Sequence, residues 1–309
     1  MKIISGTAAA LGAVALLAAL GPQPAAACAC GCGVFDVGTG SMFPGDSGGM
    51  LFVESDYMNQ NRNWSGAAAA AAEANPDRRI RTHFMSLGAQ YMLNRSWGLM
   101  VEVPYWQRDF VTSDALGAAV GYTHGALGDI RVKGVYTGFS QDMSTGLSFG
   151  VKLPSGDSTY AHFDPDTEIG TGSTDLLLGA YHLGKLSSDG RYSYFAQLQG
   201  DQPARSRAVY RPGSELVAVV GGYYEGWTVG GLRIAPVAHL TAAWRGHDGG
   251  LLGHPADSGY LRLLAAPGLE LDAGRTRLYL DAAFSLRDHV SGNQLIARQL
   301  YKLSLGYSF

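Results

Sequence analysis

The chain's three cysteines stand together as Cys28, Cys30 and Cys32 in the run C-A-C-G-C-G. Thiolates are soft ligands and suit Cu(I) or Zn(II). On an extended chain alternate residues share a face, so Cys28, Cys30 and Cys32 lie on one side. Gly31 and Gly33 would let the backbone curl until all three converge on one ion. A disulfide between such close neighbours is strained. An odd count leaves at least one thiol needing another partner in an oxidising compartment. Lipid on Cys28, a disulfide to another protein, or no defined state are the competing readings. No C-x-x-C-H follows, so no covalently attached c-type haem is signalled.

A second group is His289, Ser291 and Asn293 in the run R-D-H-V-S-G-N. A serine nucleophile needs a base within hydrogen-bond reach, and two residues along a strand share a face. The trio is similar to the His-x-Ser and Asn elements of outer-membrane phospholipases, which would imply a hydrolase. It falls in an expected loop rather than on a wall, where small polar residues are ordinary. The chain is therefore expected not to be an enzyme. A third group, Asp157, Asp164, Asp166 and Glu168, offers hard oxygen ligands of the kind Ca²⁺ takes. It lacks the Gly-punctuated spacing of a calcium loop and is expected to be solvated.

The remaining charged residues recur at alternate positions of apolar segments. Glu102, Asp129, Arg131, Lys133, Lys152, Arg233, His239, Arg245, Arg262, Asp281, Arg287, Arg298 and Lys302 each stand opposite an oily row, as do Glu54, Asp56, Asp175, Gln197 and Gln199. Facing lipid at mid-depth would cost an Arg or Lys about 2–4 kcal/mol, so these residues are expected to line an interior. Both signs are present. The interior is then a polar, mildly selective pathway, or a lumen packed shut by ion pairs.

Positioning that set requires strands. The last stretch, Ala297 to Phe309, puts Tyr301, Leu303, Leu305, Tyr307 and Phe309 on one face and Arg298, Lys302, Ser304, Gly306 and Ser308 on the other, with Leu300 as the exception. Period two is the mark of a strand with one oily and one wet face. Ending on an aromatic residue resembles the closing strand of bacterial outer-membrane barrels, which the assembly machinery reads. Twelve such segments are expected, at about 50–59, 80–93, 97–106, 127–136, 143–153, 174–183, 192–200, 214–224, 230–245, 258–271, 275–286 and 297–309. Each is near the length that a tilted strand needs to span a bilayer. Connections after odd strands are long and those after even strands short, as tight periplasmic turns and long outer loops would have it. Tyr91, Trp97 and Trp227 lie at the short turns and Tyr105, Trp106 and Trp244 near the opposite rim, where aromatic girdles sit. The six alanines Ala67–Ala72 predict either a short helix or a low-complexity insert.

The bulk numbers agree. Of 309 residues, 43 are Gly and only 16% are charged, and the net charge of −3 implies no nucleic-acid partner. After residue 21 no apolar stretch reaches the roughly 18 residues that a membrane helix needs. Residues 1–27 have a positive start at Lys2, an apolar core to Leu20 and a small-residue cleavage site at Ala25–Ala27, the features of a signal peptide. Residues 28–49 then form a Cys- and Gly-rich periplasmic tail or plug, and residues 50–309 the barrel.

Three segments occur in order: G-A-L-G-D-I-R-V-K-G from Gly125, G-L-S-F-G-V-K-L-P-S-G-D from Gly146, and G-T-G-S-T-D-L-L-L-G from Gly170. Together they resemble the outer-membrane transporter-like family named for the meta pathway of phenol degradation, over about residues 80–309. The resemblance implies a channel for aromatic or other small hydrophobic compounds. The Cys-rich start is not part of that pattern, and the Asn-Pro-Ala hatch of the related fatty-acid channels is absent. The expectation is thus an all-β transmembrane antiparallel barrel of about twelve strands in a Gram-negative outer membrane, both termini periplasmic. Its partners would be membrane lipids, the barrel-assembly machinery acting on the strand that ends at Phe309, and a small solute. The alternatives are a metal-binding or redox-accessory barrel acting through its tail, and the phospholipase-like hydrolase.

Overall fold

A strand with one oily and one wet face buries neither fully in a flat sheet. Closing the sheet on itself turns every wet face inward and leaves no unpaired edge. The computed structural model shows this closure; it describes residues 48–309 and the backbone of Cys28 and Ala29. Twelve strands form a closed antiparallel barrel. They are β1 (Gly48–Gln60), β2 (Arg79–Met92), β3 (Trp97–Ser113), β4 in two segments (Ala119–Leu127 and Arg131–Tyr136), β5 (Thr145–Lys152), β6 (Thr174–Lys185), β7 (Tyr192–Arg205), β8 (Glu215–Tyr224), β9 (Leu232–Arg245), β10 (Tyr260–Ala273), β11 (Thr276–Ile296) and β12 (Gln299–Ser308). The seam lies between β12 and β1, from Leu300 opposite Met58 to Ser308 opposite Met50. Gly49 and Phe309 exchange backbone hydrogen bonds of 3.0 and 2.9 Å there.

The alternation sorts side chains as expected. On β12, Tyr301, Leu303, Leu305, Tyr307 and Phe309 all face outward and are exposed. On β1, Phe52, Glu54, Asp56, Met58 and Gln60 are buried inside, while Leu51 and Val53 are exposed. Leu300, the exception in the last strand's pattern, points inward and packs with Met58, Leu264 and Ala283. No helix among the described residues is long and apolar enough to cross a membrane.

Six expectations are corrected. The segment 107–126 is not a long loop: β3 continues to Ser113 and β4 starts at Ala119, so the two form a projecting hairpin. Trp106 then lies on the inward face with Pro104 and Arg108 and is buried, rather than in a girdle. The other five girdle aromatics, Tyr91, Trp97, Tyr105, Trp227 and Trp244, are exposed. The segment 287–296 is strand as well, not loop. A bulge inserts Leu286 where Leu263 pairs with Arg287 and Leu264 with Ser285. One extra residue exchanges the two faces, so Arg287 is exposed on the outside and Asp288 is buried inside. Arg298, also expected to line the interior, is exposed, with its guanidinium 5.7 Å from the Trp64 ring centre. The alanine run forms neither a helix nor a featureless insert: Ala68–Ala69 pair with Trp64–Ser65, and a 3₁₀ turn spans Ala72–Ala74.

Candidate functional site

Of the eighteen residues expected to line the interior, all but Arg287 and Arg298 are buried or half-buried there, and most of the charged ones stand in ion pairs. Toward the short-turn end, Arg233 lies 2.8 Å from Glu270, 3.0 Å from Asp272 and 3.3 Å from Glu225. Above it, Tyr279 donates to Asp281 at 2.8 Å, and His239 stands 3.3 Å from the same carboxylate. Lys302 reaches Glu54 at 2.9 Å and Asp56 at 3.6 Å, and Lys133 reaches Glu102 at 2.8 Å. Toward the long-loop end, Lys152 pairs closely with Asp175 and lies 3.5 Å from Asp201. Arg245 meets Asp248 at 2.8 Å and Glu215 at 3.5 Å, and Arg262 meets Asp288 at 2.8 Å. Buried ions must be paired in this way, since each would otherwise cost several kcal/mol.

Residues 153–173 between β5 and β6 supply what the sequence reading missed. Their acidic, Gly- and Pro-rich composition predicts a solvated outer loop. Instead the segment folds into the barrel. Arg108, 1% exposed, donates to the carbonyls of Thr167 and Glu168, the latter at 3.2 Å. Phe163 packs on Phe110, Ile80 and Leu295, and Ile169 on Phe84 and Trp106. His124 on β4 meets Asp157 at 2.8 Å and stacks on Tyr160, ring centres 4.1 Å apart and interplanar angle 1°. Tyr122 stacks on His162 at 4.4 Å.

Asp129 anchors the base of this loop. It sits where β4 breaks between Leu127 and Arg131. One carboxylate oxygen accepts from the Gly156 amide at 2.9 Å; the other accepts from the Thr171 amide at 2.9 Å and the Thr171 hydroxyl at 2.6 Å. The closeness depends on glycine: a Cβ on Gly156 would stand 2.7 Å from the Gly170 Cα and 2.8 Å from the Gly128 carbonyl carbon.

Beneath the loop is a cavity of about 80 Å³. Pro104, Trp106 and Ile169 give it an apolar wall; Arg108, Arg131, Lys152, Glu168, Asp175 and Asp201 are among its charged residues. Residues 98–110 carry their inward set at even positions, so continuing the alternation from Glu102 would have found Trp106 and Arg108. Nothing in the sequence signals that the loop turns inward.

Burial sets the protonation of the loop acids. It pushes Asp164 up to about 6, with Asp166 adding repulsion and His254 opposing. It pushes Glu168 up to about 7 and Asp77, before β2, up to about 8, where Asp164 and Asp166 add to the rise and a Thr112 hydrogen bond opposes it. Asp157 goes the other way, held down first by its bond to His124.

The other expected sites do not assemble. His289 is exposed, and the Ser291 amide farther along the same strand is bonded to the Gly259 carbonyl at 3.1 Å. Among the described residues no three His, Cys, Asp or Glu could hold a metal ion. Cys30 and Cys32 lie outside the described residues; Cys28 and Ala29 run parallel to Gln294 and Leu295.

No protein-family model matches the chain. Its fold is similar to that of an outer membrane channel from Pseudomonas putida F1, with a TM-score of 0.67, 13% identity, and 88% of this chain and 100% of that one covered. It is also similar to the β domain of the Bordetella autotransporter BrkA, with a TM-score of 0.53, 11% identity, and 85% and 100% covered. At these identities the likeness is one of fold. A urease accessory protein UreD from Mycolicibacterium gilvum is 30% identical over 164 residues; the match takes in 47% of this chain and spans 59% of that protein.

Proposed function

We propose that the chain is an outer-membrane channel for passive passage of a small solute, with the inward loop 153–173 as its constriction and both chain ends on the periplasmic side. One observation carries the reading: a closed barrel with an exposed apolar outside surrounds a charged interior that still holds a cavity. A barrel packed only for stability has no use for so many buried ions, because well-packed apolar residues serve stability as well or better. The resemblance to the phenol meta-pathway family implies an aromatic or small hydrophobic solute, and Trp106 and Ile169 offer such a solute an apolar wall. A ring needs more room than the present cavity gives, since a cavity of about 150 Å³ is what binds benzene. Passage of a ring therefore requires loop 153–173 to yield. The test is single-channel recording of purified protein in planar bilayers. Small ohmic steps support the reading, and silence with correctly inserted protein contradicts it.

One observation favours a second role, for the amino-terminal tail. Cys28 and Ala29 pair with Gln294 and Leu295, and Leu295 packs inside against Phe163 of the inward loop. The tail is thus a candidate plug of the same pathway. Deleting residues 28–47 would raise conductance if it plugs the barrel and leave it unchanged if it hangs free. A metal-binding role for the three cysteines predicts stoichiometric Cu(I) or Zn(II) uptake that is lost in the same deletion.

A further inference from the structure

We propose that the cavity beneath loop 153–173 is a binding site for a small primary ammonium ion, or for the ammonium end of a small solute, held by Glu168 and Asp175. The proposal deepens the channel reading, on which it rests, by naming a solute class.

Two carboxylate oxygens at the cavity are unused acceptors. Glu168 and Asp175 both line the cavity and are 9% and 1% exposed. The Glu168 carboxylate accepts from the Tyr160 amide, and its Oε2 has no hydrogen-bond partner. Asp175 meets Lys152 through Oδ2, and its Oδ1 has none either. A buried acceptor without a donor costs about 1–3 kcal/mol, and more when charged. Two such oxygens on one cavity call for a donor-rich, cationic guest.

The cations in the wall are already engaged, Arg131 by the charge of Glu102. Arg108 holds the Thr167 and Glu168 carbonyls, Arg245 holds Asp248 and Glu215, and Lys152 holds Asp175 and Asp201. An anion would have to displace these pairs and face the two carboxylates as well. A chelated metal ion lacks its ligand set among the described residues. An ammonium group carries three donors and no acceptor, so it complements both oxygens. About 80 Å³ suits methylammonium, whereas tetramethylammonium has no N–H to donate to the two oxygens. Trp106 and Ile169 would face the alkyl part.

Trp106 also supplies the probe. The full mature chain in detergent micelles is titrated with methylammonium chloride at constant ionic strength, following tryptophan fluorescence. The expected result is a saturable change, absent with tetramethylammonium, absent in Trp106→Phe, and weakened at least tenfold in Glu168→Gln and in Asp175→Asn. Heat-modifiable migration on gels verifies that each variant is folded. If Asp175→Asn fails to fold through its Lys152 pair, Glu168→Gln alone decides. No saturable change, an equal response to tetramethylammonium, or undiminished affinity in Glu168→Gln overturns the proposal. Binding with no conductance would sink the channel reading and leave the site standing; conductance without binding would do the reverse.

Discussion

The Asp129 carboxylate grips Thr171 twice, at the amide and at the hydroxyl, across 42 residues of chain. A third bond from the same carboxylate, to the Gly156 amide, ties down the other arm of the loop. One side chain at a strand break therefore fastens both ends of the inward loop. Hydrogen bonds to a charged group contribute roughly 1.5–3 kcal/mol each. Asp129→Ala should release the loop, raising conductance severalfold and exposing residues 153–173 to protease while the barrel stays folded. Unchanged conductance and unchanged cleavage would remove Asp129 from the gate.

Glycine at the same junction gives an independent test. Gly156→Ala forces its methyl into Gly170 and Gly128 backbone. It should mimic Asp129→Ala, without altering any charge. Wild-type protection of the loop in this variant would show that the close backbone approach is dispensable.

Much of this was readable in the residues themselves. Alternation around Glu102, Lys152 and Lys302 assigns them to the interior, and each stands there in an ion pair. Arg287 escapes because a single bulged residue, Leu286, inverts the pattern, and period-two reading has no signal for an insertion. Trp106 and Arg108 escape because a tryptophan near an expected strand end looks like a girdle residue. Loop 153–173 escapes for a different reason. Its acids look solvated, and only the Arg108 and Asp129 contacts, made at a distance of tens of residues, turn them inward.

Acidity of the loop should tune it. Asp77 is pushed up to about 8, Glu168 to about 7 and Asp164 to about 6, in each case chiefly by burial. Asp164 and Asp166 face Asp77, His254 faces Asp164, and Asp157, Arg207 and Arg108 face Glu168. An acid whose folded value is raised favours the packed state when protonated. Its contribution is complete below the ordinary carboxylate range of about 4 and is lost as pH rises through the raised value. The packed loop should thus loosen between about pH 6 and 8, and conductance should rise over that range. Asp77→Asn should flatten the upper part of the rise. Conductance that falls or stays level from pH 5 to 8 would contradict the assignment.

Lys302 neutralises two carboxylates, Glu54 and Asp56, inside the wall. Lys302→Met leaves both buried and uncompensated, at a cost of about 3–5 kcal/mol. Its urea midpoint should fall clearly below wild type. The triple variant Lys302→Met, Glu54→Gln, Asp56→Asn should recover most of the loss. Equal midpoints for the single and triple variants would mean that the pairing contributes nothing.

The gated-lumen account meets its most direct test in one paired recording: single-channel conductance of the purified full-length protein beside a variant in which residues 158–169 are replaced by a short Gly-Ser link. The account predicts small steps from the intact chain and steps several times larger once the inward loop is gone. Identical steps from both, or none from either properly inserted protein, would contradict it.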